Sequence, residues 1–234
     1  MLENFKLLKK YEKILLWVFV VIEIVLFTVS QFKLSITTYI QYSSILLCFV
    51  VSLCFAKKNS LNLIISMALF FTICADFILA FTPEHKLLGM LFFCIVQIIY
   101  CIYIAKQINE KQQKINLWAR IFTIFICEVV LWIIFKDIFN LLSMFVIFYF
   151  VNLLFNTTFA LVNFKNNPLF AIGLVFFVLC DIFVGFGKMS LFFDVSTNAF
   201  FNFVYLIPFN VAWTFYIPSQ VLIAVENIIK NAPS

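Results

Sequence analysis

The chain has 234 residues, of which 65% are hydrophobic and only 12% charged, and its mean hydropathy is +1.11. A soluble domain of this length cannot bury that much apolar side chain behind so few polar ones, so lipid must be the remaining solvent. In lipid the backbone has to satisfy its own hydrogen bonds, and apolar runs of about twenty residues without alternation fit spanning helices and not barrel strands. The net charge of +5 does not point to nucleic acid, because the basic residues stand between apolar runs and read as topology signals.

In chain order, the apolar runs predict spans at 14–31, 36–56, 61–82, 86–105, 118–135, 138–163, 168–187 and 206–227. The expected fold is an all-α integral membrane bundle of eight transmembrane helices, residues 1–234 forming one transmembrane domain. The first run follows Lys6, Lys9, Lys10 and Lys13 and lacks a small-residue cleavage site, which predicts a retained anchor. The segment 188–205 reads as an external loop, an interfacial helix or the start of a long last helix.

With the N-terminus inside, the cytoplasmic segments carry Lys6, Lys9, Lys10, Lys13, Lys57, Lys58, Lys106, Lys111, Lys114, Arg120, Lys165 and Lys230, twelve in all. The other side carries four, Lys33, Lys86, Lys136 and Lys188. This bias holds over alternate loops and predicts both termini in the cytoplasm. The excess of Phe, Ile, Asn and Lys points to an AT-rich bacterial genome, hence to a bacterial cell membrane. Cys48, Cys54, Cys74, Cys94, Cys101, Cys127 and Cys180 lie inside apolar runs without C-x-x-C spacing, and His85 is the single histidine. Buried thiols are expected, with no disulfide framework, metal site or cofactor. Trp118 and Trp132, near the ends of the fifth run, read as interface anchors.

Four acids fall well inside predicted spans: Glu23, Asp76, Glu128 and Asp181. An ionised carboxylate at the bilayer centre costs about 2.5–3.5 kcal/mol on insertion scales, so such residues face the bundle interior or bind something there. Glu23 and Glu128 are 105 residues apart, as are Asp76 and Asp181, and Asn62 and Asn167. The flanks LFFTICADFILAF (69–81) and LVFFVLCDIFVGF (174–186) align at the same offset. This predicts a parallel 4+4 internal repeat with halves 14–105 and 118–227. Asp76 and Asp181 would then share a depth, about 20 Å from the cytoplasmic end of their helices, and meet across a pseudo-twofold axis. Two carboxyls in a dry pocket do not ionise equally, so one can serve as acid and the other as base or electrostatic stabiliser. Further polar residues could complete a pocket: Gln41, Tyr42, Ser43 and Ser44 in the second run, Gln97 and Tyr100 in the fourth, Asn152 and Asn156 in the sixth, and Tyr216, Ser219 and Gln220 in the eighth, where Pro218 is expected to free a backbone carbonyl. No phosphate-binding glycine loop, H-E-x-x-H motif or nucleophile elbow is present.

Two blocks resemble the lysoplasmalogenase-like (YhhN) family of membrane proteins. The first is FFTICADFILAFTPEHKLLGMLFFCIVQIIYCIYIAKQ (70–107), in which Asp76, Gly89, Phe93 and Tyr100 fall on the family's motif positions. The second is LVFFVLCDIFVGFGK (174–188) with FYIPSQVLIA (215–224), in which Asp181, Tyr216, Ser219 and Gln220 do so. The chain departs where the family often has His three residues before the helix 4 Tyr, here Gln97, and Lys-Pro near the start of helix 2, here Gln41 and Tyr42. The resemblance implies hydrolysis of the vinyl ether bond of a lysophospholipid, with Asp76 and Asp181 catalytic. Gln97, Tyr100, Asn156, Tyr216, Ser219, Gln220, Gln41, Glu23 and Glu128 are the expected substrate-binding residues. The alternatives are a non-catalytic lipid-binding or transport protein of the same fold, which would hold a lysolipid without turnover, and a proton- or ion-coupled carrier, which would show gradient-driven flux.

Overall fold

The computed structural model describes residues 8–32, 34–56, 60–136, 139–188 and 210–230. The segment expected to be a loop or interfacial helix therefore lies, from residue 189 on, outside the described residues, as do Lys33, Lys57 and Lys58. Within the described residues the secondary structure is helical, with no strand. The helices are α1 (Lys10–Ser30), α2 (Thr37–Phe55), α3 (Ser60–Phe81), α4 (Lys86–Ala105), α5 (Glu110–Ile134), α6 (Leu141–Val162), α7 (Pro168–Lys188) and α8 (Val211–Lys230), with a short 3-10 turn at Pro83–His85 between α3 and α4.

Local chemistry sets several helix starts. Asn109 and Asn140 stand just before α5 and α6, and their side-chain oxygens accept from the backbone N–H of Gln112 at 2.9 Å and of Ser143 at 3.1 Å. Pro168 opens α7, where its missing N–H costs nothing. Pro218 lies inside α8, so the Thr214 carbonyl four residues back has no amide N–H to take.

α1 through α7 are each long and apolar enough to cross a membrane, and the chain is a multi-pass membrane protein. α8 is not among these helices, and the others enclose half of it. Ten of its twenty residues are buried, among them Tyr216, Ser219, Gln220, Glu226 and Asn227. Polar side chains facing other helices find partners there and do not meet acyl chains.

Six helices close into a ring in the order α2, α3, α4, α6, α7, α8, with α8 returning to α2. α1 lies outside against α2 and α8, and α5 lies outside against α6. The ring relations map onto themselves when each helix is exchanged for the one four later: α2–α3–α4 becomes α6–α7–α8, and the α4–α6 seam becomes the α8–α2 seam. α3 and α7 consequently stand opposite each other. The outer helices break this symmetry. α1 reaches α8, whereas α5 leans on α6 and leaves most of its length exposed, including Trp118 and Trp132.

The two tightest seams each contain a glycine. A methyl group at Gly173 in α7 would stand 2.8 Å from Ile223 Cγ1 and 3.0 Å from the Ser219 carbonyl oxygen of α8, and one at Gly89 in α4 would stand 2.9 Å from the Leu79 side chain of α3. Small residues let helices approach to backbone contact in lipid. Gly173→Val is therefore expected to cost about 1–3 kcal/mol by overpacking, because a backbone oxygen cannot yield as a side-chain end can. The thermal unfolding midpoint of the purified protein checks this, and a midpoint equal to wild type would mean that the α7–α8 seam is looser than described.

Candidate active site between α3 and α7

Asp76 lies five residues before the end of α3 and Asp181 seven before the end of α7, so the opposed helices bring the two carboxyls toward one another across the ring. Asp76 is buried at 8% exposure and Asp181 is partly buried. Each carboxyl is held by a tyrosine from a different helix. Tyr216 of α8 donates to Asp76 Oδ2 at 2.7 Å, and Tyr149 of α6 donates to Asp181 Oδ2 at 2.6 Å. No described hydrogen bond takes the second oxygen of either carboxyl.

Phe177, one turn before Asp181, packs between the two tyrosines. Its ring lies 5.4 Å from Tyr216 and 6.3 Å from Tyr149, and Phe93 of α4 closes the group at 5.6 Å from Tyr149. Trp213 stands edge-on to Tyr216 at 5.1 Å. The result is two acids, each oriented by a phenol, with aromatic rings packed on both phenols. Such an arrangement can hold an apolar chain and pass a proton at a fixed point.

The other expected residues divide into groups. Gln97 and Asn156 meet: Asn156 Nδ2 donates to Gln97 Oε1 and to the Gln97 carbonyl, both at 2.9 Å. Gln97 Nε2, Tyr100 Oη, Gln41 Nε2 and Gln220 Oε1 are buried without a hydrogen-bond partner. Ser219 is buried and accepts weakly from Gln220 Nε2 at 3.5 Å. Glu23 is buried against α2, accepting from Ser44 Oγ at 2.5 Å and from Cys48 Sγ at 3.7 Å. Glu128 is not brought to this region. It is half-exposed on α5, the helix that packs chiefly on α6. A cavity of about 380 Å³ lies at the α1–α2 turn, lined in part by Gln31, Thr37 and by Asn210, six residues before Tyr216.

Two residues escaped the sequence reading. Tyr149 passed unnoticed because a tyrosine among aromatics carries no signal alone, although its spacing of three and seven from Asn152 and Asn156 marks one helix face. Arg120, expected to be a cytoplasmic loop charge, is instead buried at 2% exposure within α5. The correction follows from the helix boundary. α5 begins at Glu110, eight residues earlier than the apolar run suggested, so Arg120 sits about 15 Å along it. The pairs Asn116/Arg120 and Asn152/Asn156, each four apart, were the available sign.

No curated protein and no solved structure matches the chain. The sequence profile of the YhhN family matches residues 36–227, a stretch that holds α2 to α7, most of α8 and both tyrosine-bound aspartates, and the chain belongs to the YhhN family.

Proposed function

We propose that the protein is a membrane-embedded hydrolase that cleaves the vinyl ether bond of lysoplasmalogen-type lysophospholipids, with Asp76 and Asp181 dividing the acid and base work. The observation that carries this reading is the pair of carboxyls on opposed helices, each fixed by a tyrosine hydroxyl, with Phe93, Phe177 and Trp213 packed on those tyrosines. Membership of the YhhN family supports the same substrate class. Vinyl ether hydrolysis begins with proton transfer to the β-carbon, which gives an oxocarbenium ion. Water adds to that cation, and the hemiacetal collapses to a fatty aldehyde and a glycerophospho alcohol. The chemistry needs a proton donor, an anion beside the developing cation and one water. Two carboxyls whose second oxygen takes no hydrogen bond among the described residues meet that need, and no serine nucleophile is required.

In this reading both termini face the cytoplasm of a bacterial cell, as the lysine bias suggests, and the halves 14–105 and 118–227 descend from one four-helix unit. The second reading is a lipid-binding protein without turnover. It is favoured by Gln97, which stands where the family often has a histidine and cannot exchange a proton at neutral pH. The test is aldehyde release by the purified protein from a lysoplasmalogen, beside the ester-linked lysolipid of equal chain length. Release from the vinyl ether alone is the expected result. A lysolipid held by the protein with no aldehyde formed would transfer the assignment to the second reading.

A further inference from the structure

Arg120 is a buried cation whose charge no described neighbour compensates. Its Nε donates to Asn116 Oδ1 at 2.8 Å, Nη1 to Asn152 Oδ1 at 3.0 Å and Nη2 to Asn156 Oδ1 at 2.8 Å, and the guanidinium lies 5.4 Å from the Phe155 ring centroid. Three amide oxygens orient three of its five N–H groups but carry no net charge. A guanidinium does not shed its proton in a protein, and buried charges are paired. Among the described residues no carboxylate forms an ion pair with Arg120, the ion pairs there being His85–Glu84 and Lys230–Glu226.

The surroundings hold a further unpaired donor. Asn156 ties Arg120 to Gln97, whose Nε2 is fully buried with no partner among the described residues. A ligand that satisfies the guanidinium and the amide NH₂ together and also balances the charge is anionic and offers several oxygens.

We infer that Arg120, with Gln97, forms a subsite for a phosphate oxyanion, held in place by Asn116, Asn152 and Asn156. Its position fits a lipid headgroup. Tyr149, Asn152 and Asn156 share one face of α6, and Phe93, Gln97 and Tyr100 share one face of α4. Phe93 packs on Tyr149, so the two faces run down the bundle together. The Arg120 cluster follows the Tyr149–Asp181 bond by one to two helical turns, about 5–10 Å along α6. That is a span one glycerol unit can bridge between a chain linkage and its phosphate. The assignment rests on the proposed lipid substrate only for the source of the phosphate.

The test uses the purified full chain in detergent and three probes: ester-linked lysophosphatidylcholine, monoacylglycerol of the same chain length, and inorganic phosphate. Binding is measured by titration calorimetry. The ester probe makes the result independent of vinyl ether turnover, so an inactive protein can still bear out the subsite, and an active one can still refute it. Wild type is expected to bind the lysophospholipid about 10–100-fold tighter than the monoacylglycerol. Arg120→Gln should abolish that preference and leave monoacylglycerol affinity unchanged, while Arg120→Lys, which keeps the charge, should retain part of it. Competition by inorganic phosphate would mean that a free anion also takes the subsite. Lack of competition, with the preference intact, would assign it to lipid-borne phosphate. Equal affinity of wild type for the two lipids, or an unchanged preference in Arg120→Gln, would overturn the proposal.

Discussion

Asp76→Asn and Asp181→Asn are each expected to lower aldehyde release from a lysoplasmalogen by about 10²–10⁴-fold, the range for loss of a positioned acid or base. Asparagine keeps the size of aspartate and an oxygen that can still accept from Tyr216 or Tyr149, so the bundle should stay folded and lipid affinity should change little. What is lost is the exchangeable proton or the negative charge. The double variant should be hardly slower than the slower single one, because residues that act as a unit do not contribute additively. Tyr216→Phe and Tyr149→Phe leave the carboxyls in place and remove their orientation, so their loss should be smaller. Initial rates under substrate saturation, with elution volume and unfolding midpoint as fold controls, measure all of this. Full activity in both single variants would exclude the assigned roles.

The largest expected loss of stability is at Glu226. Its side chain is 4% exposed on α8, yet it performs a task for α7. Glu226 Oε2 accepts from the Leu169 N–H at 3.0 Å, capping a helix start whose own preceding residue, Asn167, is occupied elsewhere. Asn167 accepts from Tyr103 Oη at 3.0 Å and from the Lys230 ammonium, and donates to Gln107 Oε1. Lys230 lies 3.8 Å from Glu226 and donates to Tyr103 Oη at 3.3 Å. One acid thus ties the ends of α4, α7 and α8. Glu226→Ala removes the cap and leaves Lys230 a largely buried cation without its carboxylate. The expected cost is about 2–4 kcal/mol, below the limit for a fully buried pair because Lys230 remains a quarter exposed. Glu226→Gln keeps an acceptor for Leu169 and should fall between the two. Thermal unfolding of the three proteins in one detergent checks the order, and an alanine variant that melts with wild type would show that the cluster contributes nothing net.

Comparison of Asp76 with Arg120 shows where sequence reading succeeds and where it stops. An aspartate in the middle of an apolar run is legible because charge in lipid needs a reason, and the second aspartate at a fixed offset supplies one. The arginine near the start of a run was not legible. Its meaning depended on a helix beginning eight residues earlier, where polar residues in Glu110–Asn116 hide the boundary from any hydropathy reading. Glu128 illustrates the opposite failure. It shares the 105-residue offset with Glu23, but Glu23 is bonded to Ser44 and Cys48 whereas Glu128 is half-exposed, because α5 does not repeat the contact that α1 makes with α8.

The sequence by itself determined the helical class, the span boundaries to within a few residues for most helices, the membrane setting and the two aspartates on the third and seventh helices. Those features follow from hydropathy and from the cost of charge in lipid, which act on each segment separately. Only the tertiary structure decided that α3 and α7 oppose each other in a six-helix ring, that Tyr216 and Tyr149 hold the acids, that α8 is enclosed despite its polarity, and that Arg120 points inward onto asparagines. These depend on which helix lies beside which and at what rotation. Because every segment in this chain is apolar on most sides, the hydrophobic pattern cannot choose the inward face, and side-chain packing with a few interhelical hydrogen bonds makes that choice.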